Sequence, residues 1–419
     1  MKEERQSMNT GRKVVVTGLG AVTPIGNNVK DMWDSMVQGV CGIAPITSFD
    51  TTEFKAKLAA EVKDFDPLAY MPKLEAVRAD RYTQFAVAAA EEAVTDSGIM
   101  GKIDPERFAV YLGAGIGGIH TFEAEHEKLM QKGPRRVSSL FIPMMIANMA
   151  AGALAIRYQC KGPALPAVTA CASGSNAIGE AVRLIRHGYA DAVISGGTEA
   201  AICPMAVAGF ANMQALSTAE HPEEAALPFD KRRNGFVMGE GAGILILEEY
   251  EHALQRGAHI YGEICGYGST CDAYHMTALD PEGTGGARAI RDAMAEAGYT
   301  EEDEVYINAH GTGTPMNDSS ETHLIKMALG EEAAHRARIS STKSMTGHML
   351  GAAGAVEALA CLLVLQNGII PPTVNLHEPD PVCDLDYTPL KAVKAEPTLA
   401  LSNSFGFGGH NACLAFRKV

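Results

Sequence analysis

Hydrophobic positions along this chain switch repeatedly between short apolar runs and helical spacing, and that switching predicts a fold before any residue chemistry is considered. A β-branched run at residues 13–19 ends among Gly18, Gly20, Pro24 and Gly26, as a buried strand feeding a loop does. Residues 80–97 carry the spacing of an amphipathic helix and stop at Gly98, and residues 107–112 read as the next strand. An extended run at 163–168, broken by Pro166, precedes a helix that places Ala177, Ala181, Leu184 and Ile185 on one side and stops at Gly188. A short strand at 191–194, an irregular connection over 209–233 and a strand at 239–247 follow. A charged helical segment over 249–257 then leads into a strand at 260–267. Beyond it the alternation resumes: helix 286–298, strand 305–308, a helix after Asp318, strand 338–341, helix 350–366, and strands near Leu399 and Cys413. Strands alternating with helices predict an α/β protein. The expected organisation is a polar segment at 1–12, a first half at 13–257 and a second at 258–419, of similar texture but with no evident residue-level repeat.

Composition narrows the class. With 47% hydrophobic and 20% charged residues over 419 positions, the chain can bury a large core. Residues 1–13 are polar and offer no apolar run ahead of a cleavage site, so no signal peptide is expected. The most apolar stretches, 144–156 and 352–370, are interrupted by Asn148 and by Glu357 and Gln366, and neither is expected to span a membrane. Nine scattered cysteines without Cys-x-x-Cys spacing argue against a disulfide framework and a structural zinc site, and point to reducing cytoplasm. A formal charge of −15 disfavours nucleic acid and anionic membranes as partners. Between Lys128 and Gly179 there is nevertheless no acid, while Lys128, Lys132, Arg135, Arg136, Arg157 and Lys161 fall there. This window is either a docking surface for an acidic partner or a set of ordinary solvated cations.

Candidate chemistry begins at residues 168–176, Val-Thr-Ala-Cys-Ala-Ser-Gly-Ser-Asn, which read as strand end, tight turn and helix start. The turn sets Cys171 at a helix entrance, where unpaired N–H groups favour a thiolate, so the thiol is expected to lose its proton more easily than a free one. A buried structural cysteine is the plainer alternative. The run Gly113-Ala114-Gly115-Ile116-Gly117-Gly118 satisfies G-x-G-x-x-G, but the acid that a nicotinamide site needs about twenty positions on is absent. Glycines that let backbone pass close to a substrate chain are the better reading.

Three further segments have the look of loops at strand ends: 308–315 with His310, 341–348 with Lys343 and His348, and 403–410 with Phe407 between glycines. A metal held by Cys171 and two histidines is one candidate, yet neither histidine has a second ligand at local spacing. A cysteine hydrolase is another, and it leaves one histidine idle. Lys343 with Glu357 on the following helix has the makings of a buried ion pair fixing local geometry.

Together, residues 169–174, 308–315, 343–354 and 403–411 resemble the β-ketoacyl-[acyl-carrier-protein] synthase family in its Cys-His-His form, most closely the type II condensing enzymes of bacterial fatty acid synthesis. The likeness runs in order and spacing from about residue 13 to the C-terminus. It implies a thiolase-like fold of two similar α/β halves in a five-layered αβαβα arrangement, a homodimer, and chemistry without metal or cofactor. It implies elongation of an acyl chain by decarboxylative Claisen condensation with malonyl-[acyl-carrier-protein]. Cys171 would take the acyl group, the N–H groups of Cys171 and Phe407 would form an oxyanion hole, and His310 and His348 would hold the malonyl thioester oxygen. Phe407 matches the family's gate, Lys343 and Glu357 its structural pair, Ile116 and Phe210 its acyl pocket, and Thr277, Thr312 and Thr314 its malonyl side. Arg135, Arg136 and Lys73 match positions that dock the acidic acyl carrier protein. One departure is Gln214, where relatives often carry Lys or Arg. A discrete polyketide ketosynthase shares all four motifs and is the alternative. Cys171 argues against a silent chain-length subunit, His348 against an initiating synthase with Asn there, and the Phe407 loop against a thiolase.

Overall fold

The computed structural model describes residues 11–419, so that residues 1–10 of the expected polar segment lie outside it. The N-terminal half contributes five strands to the main sheet, β1 (Val14–Val22), β2 (Phe108–Gly113), β3 (Ala164–Ala167), β4 (Ala192–Glu199) and β5 (Gly241–Glu249). The C-terminal half contributes β6 (Gly262–Cys271), β7 (Val305–Asn308), β8 (Arg338–Ser340), β9 (Leu399–Gly406) and β10 (His410–Arg417). Numbered within its own half, each set stands in space as 3-2-4-5-1. In both, the third, second and fourth strands run parallel and the fifth and first close the order antiparallel. The halves therefore repeat one topology that no residue-level similarity displays. They meet where β1 and β6 pair through Val15 with Glu263 and Val16 with Gly262.

The helices that cover these strands are α1 (Arg81–Ser97), α2 (Ile119–Lys132), α3 (Met149–Tyr158), α4 (Ser173–Arg186), α5 (Pro204–Asn212), α6 (Thr284–Glu296), α7 (Pro315–Leu329) and α8 (Ala353–Asn367). Asp80 caps α1 by accepting the Tyr82 N–H, and Gly98 ends it in the left-handed region, as the sequence predicts. Strand alternation then assigns faces. On β5, Leu245 and Leu247 turn inward to α4 and α8, whereas Ile244 and Ile246 pack outward with Phe85 of α1 and Leu154 of α3. On β10, Ala412, Leu414 and Phe416 join the same inner core, while Cys413 and Ala415 face Ile290 of α6 and Ile325 of α7. The order is thus outer helices, sheet, α4 with α8, sheet, outer helices: five layers with two helices buried at the centre.

Two expectations shift in the structure. Residues 195–199 belong to β4, because hydrogen bonding to β5 as far as Glu199 overrides the weak strand propensity of Ser195-Gly196-Gly197. The irregular connection begins only after α5, whose end falls at Asn212. Among the described residues one helical stretch, Leu350–Asn367, is long and apolar enough to cross a membrane, but it lies buried between the sheets.

Candidate active site

Every candidate loop leaves the C-terminal end of a strand. Cys171 follows β3 and precedes α4; His348 follows β8 and precedes α8. Because β3 and β8 are each the third strand of their half, Cys171 and His348 occupy equivalent places in the repeated topology. His310 lies between β7 and α7, and Phe407 sits in the tight turn of the β9–β10 hairpin, closed by the pairing of Gly406 with His410.

The turn at Cys171 is held from within. Ala170 sits at φ 50°, a left-handed value that costs a non-glycine residue roughly 1–3 kcal/mol and is met where a site over-determines its backbone. Ser173 Oγ donates to the Ala170 carbonyl and accepts the Thr169 N–H, so the strained turn is tied at both ends. Gly406 passes so close that a Cβ there would stand 2.6 Å from the Thr169 carbonyl oxygen and 3.2 Å from the Cys171 nitrogen. Absence of that atom brings the N–H of Phe407, together with that of Cys171, against the Cys171 sulfur.

Cys171, His310 and His348 are all buried. The imidazole centroids lie 5.3 Å apart with planes nearly perpendicular, and Phe236 stands edge-on to His348. Burial, then the Lys343 cation, holds both imidazoles well below the ordinary histidine range, and His348 adds to the lowering at His310. Both are therefore neutral at physiological pH, and the Nδ1 of each is buried without a partner among the described residues. The Cys171 thiol corrects an expectation: burial pushes it up to about 12, against Lys343 and the N–H groups of Phe407 and Cys171, so the helix entrance does not leave a resting thiolate. Lys343 donates to Glu357 Oε1, and both side chains are 3% exposed. This is the buried pair that the sequence predicts, and its cation acts on Cys171, His310 and His348 alike.

A cavity of about 370 Å³ opens onto this centre. It gathers Cys171, His310, His348 and Phe407 with Phe210, Thr277, Thr312 and Thr314, and the hydroxyls of Thr312 and Thr314 lie 3.0 Å apart. Phe210 and Phe407 face each other at 6.4 Å between ring centroids. Ile116 is not brought into this cavity; it is 38% exposed, and its N–H donates to Glu199. Arg135, Arg136 and Lys73 lie exposed on the surface, and none forms an ion pair among the described residues. Part of the basic window is consumed elsewhere, since Lys128 pairs with Glu125 and Arg157 with Glu75 and Glu91.

Three supporting acids escaped the sequence reading. Glu321, on the buried side of α7, accepts the N–H groups of His310 and Gly311; Glu199, at the end of β4, accepts those of Gly115, Ile116 and Gly351. Burial raises each to about 7. Asp272 accepts from Asn411 and gives its N–H to the Gly409 carbonyl, tying the Phe407 turn to the loop after β6. The one signal in the sequence is an acid on the apolar face of a helix or at a strand end, which does not reveal the distant N–H groups it serves.

Known proteins share this arrangement. The models of the β-ketoacyl synthase N-terminal and C-terminal domains match residues 11–253 and 261–377. A 3-oxoacyl-[acyl-carrier-protein] synthase 2 of Synechocystis sp. is 53% identical over 97% of this chain and 98% of its own. Among solved structures, the ishigamide ketosynthase/chain length factor superposes with a TM-score of 0.92 at 37% identity, over 97% of this chain and 99% of that one. The type II polyketide ketosynthase AntDE, solved in complex with its acyl-carrier protein AntF and bound to the hexaketide, gives 0.89 at 37% identity, over the same shares. The five layers are accordingly the thiolase-like arrangement of ketosynthases. Identity above half over nearly the whole length, with family models spanning both halves of the repeated topology, places the chain in the β-ketoacyl synthase family.

Proposed function

We propose that this condensing acyltransferase elongates acyl chains as a 3-oxoacyl-[acyl-carrier-protein] synthase of type II fatty acid biosynthesis. The observation that carries the reading is one cavity that holds a buried cysteine beside two neutral imidazoles. Cys171 Sγ attacks the thioester of acyl carrier protein; the C–S bond to the carrier breaks, and the thiol proton leaves with the carrier sulfur. With the thiol raised to about 12, proton loss accompanies attack rather than preceding it. Malonyl carrier protein then places its thioester oxygen between His310 and His348, each able to donate one N–H as a neutral ring. Loss of carbon dioxide leaves an enolate whose oxygen those donors stabilise. Its carbon attacks the acyl-Cys171 carbonyl, the oxyanion meets the N–H groups of Cys171 and Phe407, and the C–S bond breaks to give the 3-oxoacyl product and a Cys171 thiolate that takes a proton from water. Lys343 and Glu357 fix the loop beneath these groups, Phe407 gates the cavity, Thr277, Thr312 and Thr314 line the malonyl side, and Phe210 bounds the acyl side.

Intact-protein mass spectrometry tests the scheme: long-chain acyl carrier protein should leave an acyl adduct on the wild type but not on Cys171→Ala. The adduct should vanish as malonyl carrier protein yields 3-oxoacyl product. No adduct on folded protein with competent carrier would overturn it. The polyketide ketosynthases among the solved structures favour a discrete polyketide ketosynthase as the second reading. Repeated extension of one chain without reduction, seen by product analysis, would decide for it.

The pH dependence has a defined sign. Because both imidazoles are active when neutral and are held well below 6.5, the acid limb of malonyl decarboxylation is expected below pH 6.5. Glu321, raised to about 7 behind His310, could add a limb of its own, so the profile is compared with that of Glu321→Gln. A limb at or above 6.5 that persists in that variant would remove the neutral-imidazole assignment.

Acyl carrier protein is the proposed partner, docked by Arg135, Arg136 and Lys73. Replacing Arg135 and Arg136 by Glu should raise KM for carrier-bound substrate about tenfold or more with little change for small thioesters; equal effects on both would remove the docking role. A homodimer is supported by the open edge at β3, where Leu165 is 50% exposed, and by exposed Phe122, Met130, Ile142 and Ile156 in neighbouring segments. Sedimentation should return twice the chain mass. Nine unpaired cysteines support a cytoplasmic location.

A further inference from the structure

Among the described residues no Asp, Glu, Lys or Arg lines the catalytic cavity. Two methionines, Met213 and Met316, line it instead, and a third, Met276, adjoins the lining residue Thr277 on a separate segment. Met213 closes α5, Met316 lies in the first turn of α7, and Met276 precedes Thr277 and accepts the N–H of Gly408 beside the gate. They are 48%, 67% and 79% exposed, an unusual state for three large apolar side chains at one opening. Gln214, next to Met213, lines the same mouth at the position where the family resemblance implies a cation.

Any thioester that reaches Cys171 through this opening brings its carrier to rest on the rim. We propose that Met213, Met276 and Met316 form an apolar seat for acyl carrier protein, replacing at the mouth the contact that a cation at position 214 would make. The inference rests on the carrier-dependent condensing reaction proposed above. Unbranched thioether side chains adapt to differing apolar surfaces, and a contact made by apolar burial is little weakened by salt. Docking of this chain therefore divides in two: Arg135, Arg136 and Lys73 steer at a distance, and the methionines hold at the mouth.

The test uses the full-length enzyme with malonyl carrier protein and, as the small substrate, the malonyl thioester of pantetheine. Met213→Glu with Met316→Glu should raise KM for the carrier substrate at least about fivefold more than KM for the pantetheine thioester, since a negative rim repels an acidic carrier. Met213→Ala with Met316→Ala should act in the same direction, more weakly, and the ratio should hold from about 50 mM to about 300 mM salt. Gln214→Arg should lower KM for the carrier about threefold at the lower salt and lose that advantage at the higher. Equal changes for both substrates would place the methionines against the pantetheine arm rather than the carrier, and unchanged values would remove the seat; either overturns the inference. Failure of the underlying reaction is separately visible, because the wild type would then form no adduct on Cys171 with acyl carrier protein.

Discussion

Cys171→Gln is expected to lose condensation by at least about three orders of magnitude while continuing to release carbon dioxide from malonyl carrier protein at an equal or greater rate. The two steps use different atoms. In the proposed scheme condensation needs the sulfur, whereas decarboxylation needs His310 and His348, whose backbones are held independently: His310 by Glu321, and His348 by pairing of its N–H and carbonyl with Val237 and Gly239. A glutamine amide at position 171 also puts a carbonyl where the acyl thioester would lie, within reach of the N–H groups of Phe407 and of residue 171 itself. The site is then fixed in its acyl-loaded form without an acyl group to transfer. Carbon dioxide release and 3-oxoacyl product are measured in the same tube. A variant that condenses normally ends the nucleophile assignment; one that loses both steps places Cys171 in the geometry of the malonyl side as well.

Lys343→Met is expected to cost about 3–5 kcal/mol in denaturant unfolding, because Glu357 is left as a buried carboxylate without its cation. Adding Glu357→Gln should return at least about 2 kcal/mol of that loss, as removal of both charges relieves the desolvation of each. Activity should not return with stability. Lys343 lowers the pKa of Cys171, His310 and His348 alike, so without it the thiol rises further and both imidazoles move back toward 6.5. In the folded double variant, therefore, acylation should be slow and the acid limb of decarboxylation should lie at higher pH than in the wild type. Recovery of both stability and activity would reduce the pair to scaffolding.

What could be read in the sequence was local. The four loops are legible because each sets a cysteine, histidine, lysine or phenylalanine among glycines and small residues just after a strand, and turn chemistry is written within a few positions. Helix limits at Asp80 and Gly98 are legible for the same reason. Properties set by distant segments were not. The thiol at 171 looks activated from its own helix and is raised by burial, which residues 201–238 and Leu350 supply. The basic window looks free of acids, yet Glu75, Glu91 and Glu125 reach into it from outside. Ile116 and Phe210 match one pocket by resemblance, but only Phe210 faces the cavity of a single copy. The repeated strand order of the two halves is a matter of pairing across the whole chain, and no short pattern encodes it.

The two central helices also set a timetable for biosynthesis. Once residue 249 has been made, each strand from β1 to β5 has its neighbours in the N-terminal half, apart from the short join of β1 to β6. α4 by then lies on β2 and β4 of its own half, but the face it turns to α8 and β10 stays uncovered until residues 353–417 are made. At the usual elongation rate of ~5–20 residues per second, that face stays bare for roughly ten to thirty seconds. For that interval the nascent chain is a natural client for a ribosome-associated chaperone, and what is protected is the backing of the Cys171 turn.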